Sequence, residues 1–312
     1  MNAPVLPIRD GSITIAELID LYMAQYAGRD RSIVQRLGWW RGHVGAMRID
    51  EVSDDHLHAA LEGLASQAAR YYSGKDVEGR SIFKPRRKRM AGSTINRYSS
   101  AIASIFTWAI RRRIAPKGFD NPVRRLEHEK ESLGKLRFLS DEERARLLLA
   151  CKASKWPRLY LLVLLGLTTG ARKGELLGLR WQDVDLVLKV VNVVRSKNGD
   201  SKVLPLVRAV IEQLEVFCGA PSGLVFPSRL RPEKPMAFEA RWQQALREAH
   251  IRAFRFHDLR HSAASHLAQN GATLLQIADL LGHRQISMTQ RYSHLAASHR
   301  SALVERVMGD LR

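Results

Sequence analysis

Four short stretches in the C-terminal half of the chain put cationic or proton-carrying side chains at the ends of elements. TGARKGEL carries Arg172 at a helix start and Glu175 three residues on, on the same helical face. Lys197 stands directly before Asn198–Gly199, a pair that marks a hairpin turn. HDLRH places His257 and Arg260 at i, i+3, and LLGHRQISMTQRYSHL sets His283 just past a glycine, with Tyr292 nine residues later. Each stretch has an ordinary reading: an exposed ion pair, a solubilising lysine, a half-buried tyrosine with its hydroxyl in water. Taken together they fit phosphoryl transfer, which needs cations on the non-bridging oxygens, an acceptor for the nucleophile's proton and an acid for the leaving oxygen. Two arginines can clamp a phosphate bidentately, and a tyrosine hydroxyl is a usable nucleophile once a clamp and a base lower the cost of the phenolate. His257 and His261 at i, i+4 also match half of a zinc helix. Asp258 stands where HExxH has its glutamate, however, and no cysteine pair supplies further ligands. No metal or other cofactor is expected; the arginines would take the place of the divalent ions of a nuclease.

The elements that position these residues can be read from the rest of the chain. Its 312 residues suffice for two domains, and 45% hydrophobic with 26% charged residues describes a globular protein. The most apolar uncharged run, Leu159 to Ala171, is too short to span a bilayer, and the N-terminus lacks a signal-peptide pattern. Cys151 and Cys218 sit in apolar surroundings without metal or disulfide spacing, which fits a reducing cytoplasm. Fifty Lys and Arg against 31 Asp and Glu leave a formal net charge of +19, spread along the chain. That balance calls for a polyanionic partner, nucleic acid above all, and not for a membrane surface.

Residues 1–115 read as a helical domain. TIAELIDLYMAQYA has helical apolar spacing, Ser53 or Asp54 caps the next helix, and Ser93 caps TINRYSSAIASIFTWAIRRR, whose stripe is Ile95, Tyr98, Ile102, Ile105 and Phe106. Between them SGKDVEGRSIFKPRRKRMAGS reads as a polar loop, with Lys84, Arg86, Arg87, Lys88 and Arg89 expected to touch phosphates. Residues 116–134 read as a linker and 135–312 as a second, mixed domain. In it two buried helices are separated at Thr168–Gly170. DLVLKVVNVV and KVLPL form a hairpin, and helices follow at Val207–Phe217, Glu239–Ala249, from His257, from Thr273 and through ALVERVMGDL. The expected class is mainly α with a small antiparallel sheet.

TGARKGELLGLRW, SKNG with KVLPL, HDLRHSAASHL and LGHRQISMTQRYSH resemble, in order and spacing, the four motif blocks of the tyrosine site-specific recombinases, also called the phage integrase family. The helical N-terminal part is similar, more loosely, to that family's core-binding domain. The resemblance implies that Arg172 and Arg260 clamp a scissile DNA phosphate and that Tyr292 attacks it, leaving a 3′-phosphotyrosine and a free 5′-hydroxyl. Lys197 would protonate the leaving oxygen, His257 would act as general acid/base for the tyrosine, and His283 would bond a phosphate oxygen. Glu175 would support the site; His261 and His294 receive no catalytic role. Double-stranded DNA is the implied partner, with a homotetramer on paired sites and accessory DNA-bending proteins, in the cytoplasm at the nucleoid. The role would be integration or excision of a mobile element. A Xer-like dimer resolvase, a topoisomerase-like nicking-closing enzyme or a catalytically silent DNA-binding protein on the same scaffold are the alternatives. A separate arm-binding domain is expected to be missing. The terminal stripe Leu303, Val304, Val307, Met308 and Leu311 reads as a helix donated to a neighbouring subunit, or else packed on its own domain.

Overall fold

Side-chain caps start the first helices where the sequence offers them. Thr14 and Ser53 each accept a hydrogen bond from the backbone three residues on, opening α1 (Ile15–Ala24) and α3 (Asp54–Ser66), with α2 (Ile33–Val44) between them. The computed structural model describes residues 12–76, 78–131, 136–193, 201–296 and 304–309. The chain divides into two compact units, Met1–Gly134 and Lys135–Arg312.

In the first unit, α4 (Gly92–Arg111) turns Ile102, Ile105 and Phe106 onto a core with Leu18, Leu37, Trp40 and Leu57, and Ile95 is buried near its start. The expected stripe is there, with Tyr98 half-buried and its carbonyl accepting from the Trp40 indole at 2.8 Å. The helix begins before Ser93, with Ala91 at the cap position. A Cβ on Gly92 would lie 2.5 Å from the Lys130 carbonyl, so the start of α4 is fixed by a backbone crossing it and not by a serine cap. Asn96 fastens that crossing strand through both the amide and the carbonyl of Glu129, each at 2.9 Å. Phe119, Val123 and Leu126 pack on the same core, so the 116–134 segment, as far as residue 131, is folded onto the first unit. The basic segment expected as a loop is instead an antiparallel ribbon, β1 (Ala68–Lys75) with β2 (Ser81–Arg89). Its register pairs Tyr71 with Lys84 and Tyr72 with Phe83. Pairing along nearly the whole length of both strands outweighs the local polarity that made the segment read as a loop.

The second unit is organised by α6 (Arg158–Thr169), which carries no charge after its first residue and is buried at eight positions. A helix apolar all round must be surrounded. Here α5 (Asp141–Lys152), α7 (Lys173–Leu177), α8 (Arg208–Val216) and α10 (Asp258–Gln269) cover it, while α9 (Glu239–Glu248) packs on α5. Gly166 lets α6 and α10 approach closely, since a Cβ there would meet Leu259 at 3.1 Å. The sheet is antiparallel in the order β3 (Val184–Asp185), β4 (Val190–Val193), β5 (Lys202–Pro205), pairing Val191 with Leu204. DLVLKVVNVV is therefore two strands and not one. A turn at 186–189 breaks it, with Lys189 at φ +58°, and leaves Val187 and Leu188 exposed. The tip with Lys197, Asn198 and Gly199 lies outside the described residues. Beyond α10, α11 (Leu274–Leu281) and the single turn α12 (Ser287–Gln290) complete the fold. Cys151 is buried, whereas Cys218, just past the end of α8, is exposed, contrary to the apolar surroundings expected for it. Among the described residues no helix is long and apolar enough to cross a membrane.

Candidate active site

The cationic residues of the second unit are placed by two glycine turns and one strand. Gly170 ends α6 in the left-handed region at φ +61°, where a Cβ would stand 2.3 Å from Leu281, so this turn requires glycine. The chain leaves it directly into Arg172, the N-cap residue of α7. Arg172 donates to Glu175 through both its backbone N–H at 2.9 Å and its guanidinium at 2.8 Å, the pairing expected from their spacing. Gly170 also accepts a 2.9 Å hydrogen bond from the Arg260 guanidinium on α10, which tethers the second arginine to the loop that presents the first.

Lys202, the first residue of β5, reaches Glu175 from the sheet at 2.8 Å. The sequence reading passed over it. The available signal was strand phase: Lys202, Leu204 and Leu206 alternate with exposed Val203 and Pro205, which turns Lys202 inward. Glu175, with a side chain 4% exposed, thus sits between two cations. Burial pushes its carboxyl up, but the bonds from Lys202 and Arg172 outweigh that and leave it below the usual carboxylate range. Lys202 is held low by burial, opposed by Glu175 and reinforced by Arg260 and Arg172. Arg260, 5% exposed, is brought down to about 10 by burial and by Arg172. Arg172 and Lys202 share one carboxylate here, and Arg260 stands within its field. Such a site has the electrostatics to bind an anion.

Histidines surround this cluster. His257 stands exposed at the N-terminal end of α10, lowered by burial of its ring and by Arg260. Asp258, behind it, is occupied locally: its carboxylate accepts from the Arg255 amide at 2.7 Å and guanidinium at 2.9 Å, which explains an aspartate at this place. Gly282, at φ +66°, ends α11 and delivers His283, whose Nδ1 lies 2.8 Å from the buried Thr289 hydroxyl on α12. Burial, Arg260 and Arg172 bring His283 down to about 4.

Tyr292 follows α12 and is 1% exposed, against the half-buried ring expected from its polar neighbours. Its ring packs with Ala264 and Ala268 of α10 and with Ile277 and Leu281 of α11. The alanines of HDLRHSAASHLA make the room, and burial of a ring this size contributes roughly 1.5–3 kcal/mol to holding it there. Its hydroxyl lies 2.6 Å from Nδ1 of His261. Burial pushes the phenol up, while Arg291 and Arg260 pull it back. Arg172, Glu175, His257, Arg260, His283 and Tyr292 are therefore gathered on neighbouring elements of one unit, and His261 and Lys202 join them. Lys197 lies outside the described residues. Lys84, Arg86, Arg87, Lys88 and Arg89 belong to β2 of the other unit, where Lys84 and Arg89 are exposed.

The family model described as the phage integrase family matches residues 137–299. The chain is 31% identical over 229 residues to a shufflon-specific DNA recombinase of Escherichia coli, covering 72% of this chain and 56% of that protein. It is 28% identical over 281 residues to the tyrosine recombinase XerA of Thermococcus kodakarensis, covering 83% of this chain and 98% of that one. Among solved structures, the Tn1549 transposon integrase in complex with a circular intermediate DNA aligns with a TM-score of 0.69 at 16% identity. That alignment covers 95% of this chain and all of the other, a likeness of fold.

Proposed function

The chain belongs to the phage integrase family, and from that premise we propose that it is a site-specific DNA recombinase whose nucleophile is Tyr292. The observation that carries this reading is the tyrosine itself, inserted beside a buried arginine in a pocket of three cations with one carboxylate. A DNA phosphodiester is an anion that this pocket can hold. Arg172 and Arg260 bind its non-bridging oxygens, and His283, oriented by Thr289, adds a third contact. Tyr292 attacks phosphorus, forming a 3′-phosphotyrosine as the 5′-oxygen leaves with a proton from a lysine. Lys197 is the expected donor, and Lys202 keeps Glu175 from neutralising Arg172 alone. The phosphotyrosine preserves the bond energy, so a new 5′-hydroxyl can religate it without ATP.

The basic ribbon β1–β2 and the overall charge support DNA as partner. Recombination between two sites uses four cleaving subunits. The helical residues 304–308 expose Val304, Val307 and Met308, an apolar face suited to a neighbouring copy. Integration or excision of mobile DNA is the proposed role, in keeping with the rearrangement named for the shufflon recombinase. The alignment with XerA over nearly its full length favours a replicon-resolving role as second reading.

The test is covalent trapping on a nicked suicide substrate. Tyr292→Phe keeps the ring and its packing, binds target DNA and forms no adduct. Arg172→Ala and Arg260→Ala lower the cleavage rate by on the order of 10²-fold or more. An adduct formed by Tyr292→Phe would remove the tyrosine from its assigned role.

A further inference from the structure

The partner of the Tyr292 hydroxyl is His261, one helical turn beyond the histidine that the family resemblance nominates. The two imidazoles stand 5.4 Å apart on α10 with planes at 85°, but they face different surroundings. His257 is exposed at the helix end, whereas His261 is partly buried with its Nδ1 2.6 Å from the phenolic oxygen. We propose that His261 Nδ1 takes the proton of Tyr292 when the tyrosine attacks DNA, which makes His261 a catalytic base for strand cleavage and leaves His257 free to face the phosphate. This rests on the reading of Tyr292 as nucleophile.

The step balances with groups already named. The Tyr292 Oη–P bond forms, the P–O5′ bond breaks, the phenolic proton moves to His261 Nδ1, and the leaving 5′-oxygen takes its proton from the lysine. Religation runs the same transfers backwards, His261 returning its proton to the released phenol.

The groups around His261 say when it can act. On its own helix stand His257 and Asp258, preceded by Arg255; Arg291 and Tyr292 face it from the turn after α12, and His283 from the end of α11. Burial and Arg291 lead the influences that hold the imidazole down to about 4, so near neutral pH it carries no proton and one ring nitrogen has a free lone pair. So weak a base matches a phenol poorly. Beyond burial, the positive influences on His261 are Arg291, His257 and Arg255, and the negative charge of a DNA phosphate brought near the imidazole opposes them and raises its basicity. Proton removal is thereby coupled to the approach of the DNA phosphate.

The experiment places a more acidic phenol at position 292. His261→Ala and the bulkier His261→Gln, which can accept a hydrogen bond but not carry the proton, should bind a nicked suicide substrate as the parent protein does. Both should form adduct slower by on the order of 10²–10⁴-fold. Replacing Tyr292 by 3,5-difluorotyrosine should restore about tenfold or more of the rate in each variant. It should leave the parent protein no faster, and the acid limb of the cleavage pH profile should disappear with His261. Wild-type cleavage by His261→Gln, absence of rescue by the fluorinated tyrosine, or rescue confined to His257→Ala would overturn the proposal. Adduct formation by Tyr292→Phe would instead overturn the underlying assignment of the nucleophile, so the two failures are distinguishable.

Discussion

Glu175 shows how single residues set the charge of this site. Its carboxylate is shared by Arg172 and Lys202, and without it those two cations and Arg260 would repel one another in a partly buried space. Burial and neighbouring arginines also hold two histidines low, Arg291 acting on His261 and Arg260 with Arg172 on His283, which has a consequence for stability. His261 and His283 both lie at about 4 in the folded protein, whereas an unfolded histidine binds its proton near 6.5. Below about 6.5 the unfolded chain therefore takes up protons that the folded chain refuses. Stability from these two groups is complete above that point and is lost progressively as pH falls towards about 4. Urea midpoints measured between about pH 7.5 and pH 5 should fall with acidification. The double variant His261→Gln, His283→Asn should show a visibly flatter dependence over that window. An equal slope in the variant would assign the acid sensitivity to other groups such as His257, which burial and Arg260 also hold low.

At the scale of elements, turns do the positioning. Gly170 closes α6, launches Arg172 and accepts from Arg260, so one left-handed residue aligns two of the cations. Gly170→Ala puts a methyl where φ is +61° and Leu281 is 2.3 Å away, and the same Leu281 packs on Tyr292. The substitution should cost about 1–3 kcal/mol and lower cleavage more than DNA binding. Gly174→Ala, two residues after Arg172, meets nothing within 4 Å and should change stability by no more than about 0.5 kcal/mol. Thermal melts and adduct assays on the pair check this; equal behaviour would mean that the turn gives way freely. The basic segment 68–89 carries a related lesson. Its cations were legible as residues, but their presentation on a paired ribbon depends on β1 finding β2 across the turn.

For the whole molecule, a net charge of +19 predicts DNA affinity that falls steeply with salt through counterion release. Assembly is a separate property. Val304, Val307 and Met308 are 60%, 59% and 54% exposed, so within this chain the helix at 304–308 leaves its apolar face uncovered. Deleting residues 303–312 should leave binding to a single site intact while abolishing cooperative binding and the pairing of two sites. Gel shifts on one-site and two-site DNA, with light scattering of the complexes, measure both. Tetramers formed by the truncated protein on paired sites would place the subunit contacts elsewhere.

The sequence by itself determined the family, the mainly helical class and most of the pocket. Arg172, Glu175, His257, Arg260, His283 and Tyr292 lie in short motifs whose spacing carries the information. Local periodicity also found α4 and α6, because each helix writes its buried face within a few turns. Tertiary structure decided what such patterns do not encode. Lys202 reaches Glu175 only because β5 pairs with β4 beside α7, and the turn at 186–189 is hidden in an apolar run. Tyr292 is buried because α10 supplies alanines and α11 supplies Ile277 and Leu281, none of them its sequence neighbours. The hydroxyl then meets His261 instead of His257, a choice between two histidines one turn apart. Helical spacing puts both on the same face; only the packing of the turn at Ser293–Ala296, just after the tyrosine, against α10 brings one of them within 2.6 Å of the phenol.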